Sequence, residues 1–68
     1  MTNTLLLGKR IDDSGYKRSF LASKLGITAY GLSLKINNKT EFKASEINIL
    51  CELLKIDTRD RMKIFFAK

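Results

Sequence analysis

Gly26 separates two short runs of helical spacing, and that interruption restricts the folds open to this chain more than any other feature. Before it, Leu21 and Leu25 recur at i, i+4; after it, Leu32 and Ile36 do the same. A glycine there can take the left-handed backbone conformation and turn the chain sharply. Two short helices joined so tightly cross steeply and need a small side chain where they touch, a role that suits Ala22. Leu21, Leu25, Ile27 and Leu32 supply apolar anchors on either side of the turn.

The same spacing continues through the rest of the chain, and no stretch alternates strictly like a strand. Five helices are predicted. The first runs from about Asn3 or Thr4 to Ser14 with Leu7 and Ile11 inward, and Gly15 ends it. The second runs from about Arg18 to Leu25, capped by Ser19 or the residue before it. Thr28 has the chemistry of an N-cap for a third, which reaches about Asn37. Asn37, Asn38 and Lys39 form a polar turn. The fourth spans about Ala44 to Leu54, where Ile47, Leu50, Cys51 and Leu54 make a buried stripe at i, i+3, i+4 and i+7. Asp57 or Thr58 caps the fifth, in which Met62, Phe65 and Phe66 share one face. No repeat, low-complexity tract or linker divides the chain, so a single all-α domain over residues 1–68 is expected.

Composition narrows the function. Lysine and arginine number 13 against 7 acids, a formal charge of +6. Through Lys43 there are eight basic residues and three acidic ones; from Ala44 onward there are five and four. The excess therefore coincides with the glycine-broken helix pair and points to a polyanion, most simply nucleic acid. The alternative is a face that is merely well solvated. With one Cys and no His, neither a disulfide nor a metal site is expected, and Cys51 reads as a small core hydrophobe. Asp12 and Asp13 are adjacent, so on a helix they do not face one another and suggest no acid–base pair. There is no glycine-rich phosphate loop. No enzymatic activity, cofactor or small-molecule substrate is expected. Leu5, Leu6 and Leu7 are too short a run for a signal-peptide core or a membrane span, so the chain is expected to be soluble and intracellular, with no membrane partner.

The segment FLASKLGITAYGLSLKINN, from Phe20 to Asn38, resembles the helix-turn-helix of the Cro/cI class: an Ala, a Gly four residues later and an apolar residue directly after it. The motif occupies about residues 18–37. The leading helix, the polar turn after the third helix and the fourth helix ending in LCELLKI extend the likeness over roughly Leu5 to Ile56. More narrowly, KINNKTEFKASEI and the closing KIFFA are similar to small regulators encoded by temperate phages of Gram-positive bacteria. That group contains Cro-like repressors and modulators of repression, which are antirepressors that bind the phage repressor protein. The resemblance implies a five-helix, lambda-repressor-like fold and a transcriptional regulator of the lysis–lysogeny switch in the cytoplasm of a bacterial host. Its implied partners are double-stranded operator DNA, a phage repressor protein, or both, with a homodimer as a further option.

About 100° per residue turns Leu32 and Ile36 inward and leaves Tyr30, Leu34 and Asn37 on the opposite face, with Ser33 at its edge. By carry-over from the class, Ala29, Tyr30, Ser33, Leu34 and Asn37 would meet base edges or a protein partner. Arg18, Ser19, Thr28, Asn38 and Lys39 would lie nearest phosphates. The chain departs here from a strong base reader. Direct readout favours Arg, Lys, Asn and Gln, whose paired hydrogen bonds discriminate bases. Ala29, Tyr30, Ser33 and Leu34 offer methyl contacts and single hydrogen bonds, and only Asn37 can make a bidentate pair. An outward Tyr and Leu one turn apart suit a protein interface equally well.

Overall fold

The computed structural model describes residues 1–67 and contains five α-helices among them. They are α1 (Thr4–Ser14), α2 (Arg18–Leu25), α3 (Ala29–Ile36), α4 (Ala44–Leu54) and α5 (Thr58–Phe65). No strand is present among the described residues. The radius of gyration of 10.6 Å matches the roughly 11 Å expected of one packed body of this length.

Each helix boundary has a local cause. At α1, the Asn3 side chain accepts the Leu6 N–H at 3.1 Å, and Gly15 leaves the helix at φ 78°. At the end of α2, Gly26 takes φ 73° and the Ile27 N–H donates to the Ala22 carbonyl at 3.0 Å. That six-residue closure places Ile27 against the core, the apolar contact typical of such a helix end. The end of α4 repeats the geometry without a glycine. Lys55 sits at φ 54°, and the Ile56 N–H reaches the Cys51 carbonyl at 2.9 Å. Thr28 caps α3 and Asp57 caps α5, through bonds of 3.0 and 2.8 Å to the N–H groups of Gly31 and Asp60.

The core is one cluster. Leu7 and Ile11 of α1, Leu21 and Ala22 of α2, and Leu32 and Ile36 of α3 meet Ile47, Leu50, Cys51 and Leu54 of α4. Full burial of an aliphatic side chain contributes about 1.5–3 kcal/mol, so this apolar cluster is the main source of stability. Cys51 is buried, as its place on the stripe predicts, and its Sγ accepts a weak bond from the Arg61 Nε.

Two expectations need correction. Ser19 does not cap α2: the helix begins at Arg18, the cap position is Lys17, and no side chain caps it. Nor do Met62, Phe65 and Phe66 share one face within α5, since the helix ends at Phe65 and Phe66 is its C-cap. Ile64 and Phe65 are buried, whereas Met62 is 56% and Phe66 52% exposed. The rotation is fixed from outside the helix. The Asn3 N–H donates to the Ile64 carbonyl at 2.6 Å, and Phe42 packs edge-on to the Phe65 ring at 5.4 Å.

Candidate functional site

The α2–turn–α3 unit is built around a buried contact. Ala22 is 1% exposed at the place where α2 meets α3 and α4. Leu32 and Ile36 anchor α3 from beneath, at 0% and 1% exposure. Their burial turns the other side of α3 outward.

Of the five residues assigned to that face, Ala29, Tyr30 and Asn37 are exposed, Tyr30 by 74%. Ser33 and Leu34 are only half-buried, so the face is narrower than helical arithmetic predicts. The chain after α3 doubles back: the Lys39 and Thr40 N–H groups donate to the Leu34 carbonyl at 2.8 and 3.4 Å. Leu34 is thus less available as an anchor than Tyr30.

The residues assigned to phosphate divide into two kinds. Arg18, Ser19, Thr28 and Lys39 are exposed. Neither Arg18 nor Lys39 forms a salt bridge among the described residues. Arg18 leans toward α1, where its guanidinium approaches Gly8. Because α2 has no side-chain cap, its first N–H groups remain open to an external acceptor next to Lys17 and Arg18. The Thr28 hydroxyl oxygen is engaged by the Gly31 N–H.

Asn38 belongs to the second kind. It stands at φ 63°, and its side chain grips the backbone of Thr2. Its Oδ1 accepts the Thr2 N–H at 2.9 Å and its Nδ2 donates to the Thr2 carbonyl at 2.8 Å. Thr4 donates its hydroxyl to the Ile36 carbonyl at 2.7 Å beside it. The side chain is therefore spent on a clasp between the N-terminal segment and the end of α3, and is not free for a phosphate.

A second tether holds α3, and the spacing of α3 alone does not reveal it. The Lys35 Nζ lies 3.0 Å from the Glu46 Oε1 of α4 and also donates to the Glu41 carbonyl at 2.9 Å. Glu46 is 5% exposed and accepts the Lys43 N–H at 2.8 Å, which caps α4. Burial alone pushes its carboxyl pKa up. The Lys43 N–H, the Lys35 hydrogen bond and the charges of both lysines outweigh that and hold it below its ordinary value. The capping half of this arrangement had a sequence signal, an acid at the third position of α4. The ion pair had none.

α3 is thus fixed at its start by Thr28, at its end by Asn38 and Thr4, and along its side by Lys35. It is a short rigid rod with one outward face, flanked by cations. No helix among the described residues is long and apolar enough to cross a membrane. Neither the curated proteins nor the solved structures include one that matches the chain. A family described as "Protein of unknown function (DUF739)" matches residues 3–68, and over that span the chain belongs to this family.

Proposed function

We propose that the protein is a helix-turn-helix transcriptional regulator of the Cro/cI type, which lays α3 in the major groove of operator DNA. The observation that carries this reading is the tethered α3 with Ala29, Tyr30 and Asn37 outward, beside the exposed cations Arg18 and Lys39, which form no salt bridge among the described residues. A recognition helix needs an exposed polar face, a rigid seat and flanking cations that can meet phosphates, and these features of α3 support the reading. Asn37 can bond an adenine edge in bidentate fashion, Tyr30 can make one hydrogen bond, and Ala29 can meet a thymine methyl. Phosphates would be met by Arg18, Lys39 and the uncapped start of α2. The location that goes with this activity is the cytoplasm of a bacterial host.

Titration of duplex DNA against variants tests the assignment. Lys39→Ala should weaken binding to every sequence and lower the salt slope by about one. Tyr30→Ala should change sequence preference. Binding that neither change affects would refute the role given to α3.

A second reading has one specific observation in its favour. Tyr30, the most exposed aromatic of the chain, heads a face that carries no Arg, Lys or Gln. An aromatic anchor of this kind suits a protein partner. An antirepressor would use the same face to hold a phage repressor. Tyr30→Asp would then abolish capture of that repressor while DNA binding stayed weak throughout.

A further inference from the structure

A groove of about 250 Å³ lies between α1 and α5 and is lined by no residue of the α2–α3 unit. Each helix contributes an i, i+3, i+4 triplet. Leu6, Lys9 and Arg10 come from α1, and Asp60, Lys63 and Ile64 come from α5. The apolar part of the lining is Leu6 and Ile64. Leu6 is 40% exposed, and Leu5, on the same helix face as Lys9, is 86% exposed. Two neighbouring exposed leucines beside a groove are an unusual apolar surface for so small a protein.

The charges around the groove are unbalanced. Lys9, Arg10 and Lys63 face a single carboxylate, Asp60. The Arg10 guanidinium donates to the Lys55 carbonyl at 3.4 Å and its buried Nε has no partner among the described residues, while Asp60 meets it through one 3.5 Å contact. That pairing is long and single-pronged, far from the bidentate geometry that satisfies a guanidinium.

We infer that this groove is a docking surface for an acidic segment of another protein, one that inserts an apolar side chain between Leu6 and Ile64 and sets carboxylates against Lys9, Lys63 and Arg10. Charge complementarity selects this occupant. A second copy of the chain, related by two-fold symmetry, would bring the same patch against itself, and three cations with one carboxylate on each side would leave like charge facing like. Duplex DNA would satisfy the cations but would leave Leu5 and Leu6 with nothing to bury them. An acidic, apolar-anchored peptide satisfies both. The inference does not depend on α3 touching DNA.

The test is fluorescence anisotropy with a short fluorescein-labelled peptide of Glu, Asp, Leu and Phe, and a second in which Ser replaces every Leu and Phe. The full chain should bind the first at least about tenfold more tightly than the second. The double variant Lys9→Glu, Lys63→Glu should lose at least about tenfold in affinity for it, and so should Leu6→Ser, with both variants folded by circular dichroism. Tyr30→Ala should leave it unchanged. No binding of the acidic–apolar peptide, equal binding of the two peptides, or undiminished binding by the double variant would each overturn the inference. So would a dimer in sedimentation equilibrium that Leu6→Ser dissociates, since the groove would then belong to a second copy.

Discussion

The Lys35 Nζ and the Glu46 Oε1 lie 3.0 Å apart, and through this pair α3 is fastened to the first turn of α4. The carboxylate also accepts the Lys43 N–H, so one side chain caps α4 and anchors the neighbouring helix. Its pKa is lowered in the folded chain from an ordinary 4.5. A depressed carboxylate contributes stability that is complete above the unfolded value and is lost as pH falls through the folded one. Glu46→Gln, which keeps an acceptor but not the charge, should cost about 1–3 kcal/mol near neutral pH. In thermal melts the gap between wild type and variant should close as the pH drops below about 4.5. A gap of constant size across that range would mean that the ion pair contributes nothing.

Asn38 should prove a structural residue and not a phosphate ligand. Asn38→Gly keeps the left-handed backbone and removes both bonds to Thr2; Asn38→Ala removes the bonds and adds strain at φ 63°. The glycine variant should lose about 1–2 kcal/mol and the alanine variant about 1 kcal/mol more, read from denaturant midpoints. Both should retain the slope of log affinity against log salt for duplex DNA. A slope reduced by about one would return Asn38 to the phosphate-contacting set.

Lys55 offers the opposite experiment. Its left-handed backbone, φ 54°, ends α4 at a position where glycine carries no Cβ penalty. Its bonded groups are both backbone, an N–H that donates to the Cys51 carbonyl and a carbonyl that accepts from Arg10, and both survive substitution. Lys55→Gly should stabilise the fold by about 0.5–1 kcal/mol, which for a domain of this size raises Tm by a few degrees. A lower Tm would show that the lysine side chain contributes more than its backbone strain costs.

Leu32 ties the core to α3. It is fully buried, and Leu32→Ala removes its packing against the cluster from beneath the outward face. The expected loss is about 2–5 kcal/mol, enough to unfold a marginal domain of this size near physiological temperature. Circular dichroism melts check it directly. A loss below about 1 kcal/mol would mean that α3 is not seated as described.

The helices were legible because their ends carry local signals. Gly15 and Gly26 stand where the chain must turn left-handed, Thr28 and Asp57 have short oxygen-bearing side chains, and the α4 stripe keeps strict spacing. α5 was misread for a physical reason. Met62, Ile64, Phe65 and Phe66 put apolar groups on several sides of one short helix, so periodicity cannot choose among them. The choice falls to Asn3 and Phe42, contacts made from distant parts of the chain. In the candidate site, Tyr30 followed from helix geometry alone. Leu34 did not: it is half-buried at the end of α3 where the chain returns to bond its carbonyl, and that return is not part of any helix. Asn38 was placed in a polar turn correctly, but its partner lies 36 residues away and no local pattern encodes that pairing.

The central claim is that the outward face of α3 reads DNA sequence. The most direct measurement is fluorescence anisotropy of the protein alone against the DNA upstream of its own gene and against a scrambled duplex, at two salt concentrations. The account predicts binding to the upstream DNA at least about a thousandfold tighter than to the scramble, with the difference surviving at the higher salt. Weak and equal binding to both duplexes, disappearing as salt rises, would contradict it and leave only phosphate attraction.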